Sequence, residues 1–185
     1  KPYTPLELEG RDLYIREGCN ACHTQLVRPF RSEVERYDPN GGQYSKSGEY
    51  VYDFPFLWGS KRTGPDLMRI GQKYPDSWHY NHMLSPQDIS PGSIMPPYPW
   101  LIENNLNSSN IEDKLKVMKI LGVPYSDEDV KNAKKNMDEQ AAVIVESLKK
   151  DKVKTGKDKE IVALIAYLQR MGTDIKAEKP QTAQK

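Results

Sequence analysis

An all-α chain is predicted, with long loops in its first half and an additional helical insert ahead of the last helix. Three observations predict it. A fully signalled helix start stands at Thr4, apolar residues recur at helical spacing from Asn110 to Met171, and residues 24–75 between them keep no helical period.

Taken in order, Thr4 is a good N-cap, Pro5 suits the first helical turn and Glu7 completes a capping box. This helix is expected to run to about Glu17 and to end at Gly18. Residues 24–75 are rich in Gly, Pro, Tyr and Asp and read as loop shaped by packing. Within them Asp38-Pro39-Asn40-Gly41-Gly42 is a turn, and Gln43 to Tyr52 suggests a small hairpin with Lys46-Ser47-Gly48 at its tip. Asp76-Ser77 caps a short helix through Leu84, which Ser85-Pro86 stops. Prolines at 91, 96, 97 and 99 exclude helix there.

From Asn110, Ile111, Leu115 and Met118 mark one face of a helix that ends at Gly122 and Pro124. Ser126 to Asp129 caps another, whose apolar face runs through Val130, Ala133, Met137, Ala141, Ile144 and Leu148. Lys149-Lys150 complement the dipole in its last turn. After a charged linker, the last helix spans about Asp158 to Met171, with Ile161, Leu164, Ile165 and Leu168 on its apolar face and Gly172 closing it. One domain over residues 1–174 is expected, with its core in about 4–101 and 158–172 and the insert at about 109–150. Residues 175–185 read as a flexible tail.

The composition is lean for such a domain. Only 37% of the 185 residues are hydrophobic and the mean hydropathy is −0.78, so a large apolar prosthetic group in the middle is expected. With 27 Lys+Arg against 26 Asp+Glu, nothing points to nucleic acid. No run approaches the ~20 apolar residues that span a bilayer. The chain nevertheless starts at Lys1-Pro2-Tyr3 without an initiator Met, as a segment of something longer would.

Cys19-Asn20-Ala21-Cys22-His23 is the attachment signature of a c-type haem. Each thiol adds to one vinyl group, and the adjacent histidine is placed under the iron. One covalent haem c is therefore expected. A zinc or redox C-x-x-C is the competing reading, with His79 and His82 as the remaining ligands. The context favours haem, because the motif follows a helix end and precedes Thr63-Gly64-Pro65-Asp66-Leu67 and Met95-Pro96. The Pro65 carbonyl suits the far N–H of an axial His23, since a rigid φ holds that oxygen in place. For the sixth position Met95, on a proline-stiffened loop, is preferred over His79 and His82. Met118, Met137 and Met171 sit at helical spacing where methionine fills cores. His/Met ligation also raises the reduction potential, as a relay requires. Arg28, Arg31 and Arg62 are candidate propionate donors, and the indoles of Trp58, Trp78 and Trp100 are weaker ones.

The sequence then resembles the class I cytochromes c. Gly10-Arg11-Asp12-Leu13-Tyr14 and Ala163-Leu164-Ile165-Ala166-Tyr167-Leu168 look like that fold's paired terminal helices. A closer resemblance is to the monohaem subunit (subunit II, CcoO) of cbb3-type cytochrome c oxidases. It is carried by Leu8 to Cys19, Arg28-Pro29-Phe30-Arg31, Phe56 to Leu67, Met95 to Leu101 and Leu121-Gly122-Val123-Pro124-Tyr125. The resemblance implies a class I fold with long loops around the haem, in which Gly10, Tyr14 and Tyr167 pack where the terminal helices cross. It implies a relay that takes electrons from a dihaem cytochrome c subunit or a soluble cytochrome c. They pass on to the haem–copper catalytic subunit, at the periplasmic face of the bacterial inner membrane. It also implies a transmembrane helix just upstream of Lys1. The alternatives are a free periplasmic shuttle, a nitric oxide reductase subunit, or a haem sensor or peroxidase with a displaceable sixth ligand.

Overall fold

The computed structural model describes residues 1–37 and 43–176. Helix α1, Pro5–Arg16, starts on the capping box: Thr4 Oγ1 accepts from the Glu7 amide, and the Glu7 carboxylate accepts from the Thr4 amide at 2.7 Å. Gly18, at φ +70°, turns the chain directly into the short helix α2, Cys19–Cys22. A left-handed residue at that corner is one that glycine adopts without cost.

The fold is organised where α1 crosses α10, Glu160–Arg170. A side chain at Gly10 would stand 1.9 Å from the Ala163 carbonyl oxygen and 2.8 Å from Tyr167 Cβ, so the two backbones touch there. Tyr14 and Tyr167 meet edge to face at 5.4 Å beside this crossing. Leu6, Leu13, Leu164, Ile165 and Leu168 bury themselves around it. Helix α9, Ala133–Lys150, lies across both and adds Met137, Ala141, Ile144 and Leu148 to the same core.

Helices α7, Ile111–Ile120, and α8, Asp127–Lys131, build a second apolar cluster against Leu8 of α1. Polar contacts lock it in register. Lys114 Nζ bonds Glu9 and Asp12, each at 2.7 Å, and the Tyr125 hydroxyl donates to the Tyr3 carbonyl at 2.6 Å. Helix α4, Asp76–Leu84, packs on α9 and α10 and is followed by α5, Pro86–Ile89, and by α6, Trp100–Glu103, which also packs on α10.

The structure departs from the local sequence signals in several places. The expected hairpin at 43–52 is a 3₁₀ turn, Ser47–Tyr50, and the described residues hold only one isolated bridge, Asn105–Lys159. Burial of Tyr50 and the Glu49–Arg69 ion pair at 2.6 Å outweigh strand pairing there. The stretch read as loop contains α3, Arg31–Tyr37, supported by an Arg31–Glu35 pair one turn apart. The helix expected from Ser126 is interrupted at Asn132 into α8 and α9, although Ser126 caps it as expected. Asp174–Lys176, running from the end of the expected domain into the expected tail, form a 3₁₀ turn held by the Arg170–Asp174 pair. The turn at 38–42 and the rest of that tail lie outside the described residues.

Candidate haem cavity

One wall is built on α2 and the residue after it. Cys19 is buried, which pushes its thiol up to about 12, whereas Cys22 is exposed. His23 leaves the helix in extended backbone, and its Nδ1 lies 2.8 Å from the Pro65 carbonyl oxygen. A carbonyl only accepts, so Nδ1 carries the proton and Nε2 keeps its lone pair. Burial also lowers the His23 pKa and favours the neutral, metal-binding imidazole. A Cβ on Gly64 would stand 2.1 Å from His23 Cε1, so the ring occupies space that only glycine leaves open. Backbone bonds from Gly64 to Cys22 and from Leu67 to Thr24, each at 3.0 Å, tie the Gly-Pro segment to the motif. The Tyr14 hydroxyl holds the His23 carbonyl at 3.0 Å and couples this wall to α1.

Helix α4 and the loop after α5 line the same cavity. Helix α4 turns Trp78, His79, His82 and Met83 to the cavity, and the loop brings Ile94 and Met95. The Met95 amide donates to Ser93 Oγ at 3.2 Å, and the Tyr98 amide ties the loop to the Met83 carbonyl at 2.8 Å. Leu67, Ile70, Leu164 and Leu168 supply an apolar lining. The cavity, open to solvent, has a volume of about 710 Å³, within the range of roughly 300–1,000 Å³ typical of cofactor sites. Asp66, also on the cavity, is pushed up to about 6 by burial, although it accepts from the Leu26 and Met68 amides.

These residues fit a haem. Two thiols stand on one turn, an imidazole is oriented through its Nδ1, and thioether and imidazole donors line the same apolar space. A zinc cage is not assembled: among the described residues no three His, Cys, Asp or Glu side chains converge on one point.

Cys19, Cys22, His23, Pro65 and Met95 all line this one cavity. Arg28 and Arg62 do not; both turn to Glu33, Arg28 Nε at 2.5 Å and Arg62 Nε at 3.7 Å, and Arg62 also donates to the Leu26 carbonyl at 3.1 Å. Arg31 is taken by Glu35. Of the three tryptophans only Trp78 lines the cavity. Trp58 stacks on Phe56, and the Trp100 indole donates to Glu17 at 3.0 Å. The cations on the cavity are instead Arg36, Arg69 and Lys73. Arg69 and Lys73 follow Pro65 by four and eight residues, a proximity that marked them weakly in the sequence.

No curated protein matches the chain. A family model described as "Cytochrome C oxidase, mono-heme subunit/FixO" matches residues 1–175. By that match over nearly its whole length, the chain belongs to the mono-haem (FixO) subunit family of cytochrome c oxidases.

Proposed function

We propose that this chain is the electron-relay subunit of its oxidase, a class I c-type cytochrome with one haem held covalently by Cys19 and Cys22. His23 and Met95 are its axial ligands in this reading. The observation that carries it is that one cavity gathers Cys19, Cys22, the imidazole that Pro65 fixes, and Met95. The haem supplies a one-electron ferric–ferrous couple. The Pro65 carbonyl orients the His23 ring and raises the basicity of Nε2. The Met95 thioether favours the reduced state and so a higher potential. With both His23 and Met95 holding the iron, the haem would offer oxygen no open position, and the chain's part would be electron transfer.

On this reading it receives electrons from a dihaem cytochrome c subunit or a soluble cytochrome c. It delivers them to the haem–copper subunit that reduces oxygen to water, at the periplasmic face of the bacterial inner membrane. No described helix is long and apolar enough to cross a membrane. A docked subunit is favoured over a free shuttle by the aromatic side chains left on the surface: Phe30 is 55% exposed, Phe56 53% and Trp58 45%. Extraction with acidified acetone tests the attachment. One haem per chain is expected to stay with the polypeptide, and haem released into the solvent overturns the reading.

A further inference from the structure

Asp66 is buried on the cavity at 5% exposure, and its own amide belongs to the peptide unit whose Pro65 carbonyl lies 2.8 Å from His23 Nδ1. Both carboxylate oxygens are engaged. Oδ1 accepts from the Met68 amide at 2.7 Å and Oδ2 from the Leu26 amide at 2.9 Å. The two donors favour the anion, whereas burial favours the neutral acid. Burial prevails and brings the carboxyl up to about 6, where a modest change in nearby charge decides its state. An Asn would hold a turn of this kind with one oxygen, so the turn alone does not call for an ionisable group.

The charged and titratable groups whose field reaches Asp66 are Arg28, Arg62, Arg69, Tyr14 and Tyr50. Each is engaged elsewhere. Arg28 and Arg62 turn to Glu33, and Arg69 pairs with Glu49 at 2.6 Å. The Tyr14 hydroxyl donates to the His23 carbonyl and the Tyr50 hydroxyl to the Gln25 carbonyl, and burial raises both phenols, so they stay neutral in acid. On the cavity, Arg36 and Lys73 add fixed positive charge, while burial lowers the pKa of His79 and His82. The one charge in this set that alternates is that of an iron held by His23. Its path to Asp66 runs through the imidazole, the Pro65 carbonyl and one peptide unit. Such coupling is reciprocal: positive charge on the iron favours the Asp66 anion, and the anion favours the ferric state by the same free energy.

We propose that Asp66 takes up a proton when the iron is reduced and releases it when the iron is oxidised, which couples the chain's electron transfer to a proton at this side chain. This rests on the haem reading above. On reduction the electron passes from the cytochrome donor to the iron, and a proton passes from water to the Asp66 carboxylate; oxidation returns both. In the holoprotein the midpoint potential is expected to fall as pH rises through about 6 and to stay level over that range in Asp66→Asn. An equal fall in both proteins overturns the proposal. Infrared difference spectra between the two redox states, taken near that pH, are expected to show a protonated-carboxyl band gained on reduction. Labelling the aspartate carboxyls with carbon-13 is expected to move this band to lower frequency, and a band that the label does not move overturns the proposal. Asp66→Glu in the labelled protein keeps a carboxyl but takes the label out of this position, so the band should return unlabelled. A labelled band that persists belongs to another aspartate and overturns the proposal as well. Where the Asn variant does not hold haem, the labelled wild type and the Glu variant decide. Wild-type protein that takes up no haem sinks the haem reading instead, which separates the two failures.

Discussion

His23 is constrained on every side that an axial ligand needs to be. Pro65 takes its Nδ1 proton, Tyr14 holds its carbonyl, and Gly64 leaves the space in which the ring lies. His82 has no such support, since its Nδ1 is buried without a partner. That contrast bears on the sixth ligand, because an imidazole on a metal almost always donates its far N–H to an acceptor. Met95→Ala is therefore expected to abolish the methionine–iron charge-transfer band and lower the potential, whereas His79→Ala and His82→Ala keep the band. The reverse pattern gives the iron to a histidine. Asp66 allows a second test at this scale. Its folded pKa of about 6 lies above the ordinary carboxyl value of about 3.9. The folded state thus binds that proton more tightly, and its stability falls as pH rises from about 4 to about 6, then levels off. A gap of about two units corresponds to about 3 kcal/mol. Asp66→Asn does not titrate, so urea unfolding should move its stability relative to wild type by about 2–3 kcal/mol in favour of Asn between pH 4 and pH 7. A constant difference means that Asp66 is not desolvated.

Between elements, the α1–α10 crossing depends on the absence of a side chain at one position. A Cβ on Gly10 meets a backbone oxygen of α10, which has no rotamer by which to yield. Gly10→Val must push the helices apart and is expected to cost about 1–3 kcal/mol, read from chemical denaturation. Because Tyr14 and Tyr167 pack beside the crossing and Tyr14 also holds His23, the displacement reaches the cavity wall. Unchanged stability means that the helices do not meet at Gly10. The α7–α8 cluster acts on the other face of α1, where Lys114 and Tyr125 fix its position.

At the scale of the whole molecule, the surface favours a permanent contact over long-range steering. The net charge of +1 supplies little directing field. The aromatic stretch from Phe54 to Trp58 is held outward by α1: Arg11 donates to the Phe54 carbonyl at 3.0 Å and to the Pro55 carbonyl, and pairs with Asp53 at 3.5 Å. Phe56 and Trp58 lie parallel, 4.5 Å apart, with Tyr50 buried edge-on beneath Trp58 at 5.0 Å. Rigid exposed aromatics of this kind mark interaction surfaces. Hydrogen exchange at residues 29–30, 54–58 and 96–101 is expected to slow when the isolated domain is compared with the assembled oxidase. Equal protection in both states, with equally fast reduction of the oxidase core by the isolated domain, would show a diffusing carrier.

Interactions confined to a few residues were legible in the sequence. The capping residues Thr4 and Ser126 each work within one turn of chain, so spacing alone reveals them. The α9 stripe was readable for the same reason, since its period is a property of the helix and not of its neighbours. Tertiary structure decided the rest. Arg28 and Arg62 are close in sequence to the cavity residues yet turn to Glu33, while Arg36, Arg69 and Lys73 reach the cavity. A long charged side chain chooses among partners that the fold alone brings within reach. Likewise, the sequence shows that His79 and His82 exist. Only the packing sets both rings against Trp78, one edge-on and one stacked, and only burial leaves His79 Nε2 without a partner. Burial and partnership are sums over the whole fold, and no local pattern contains them.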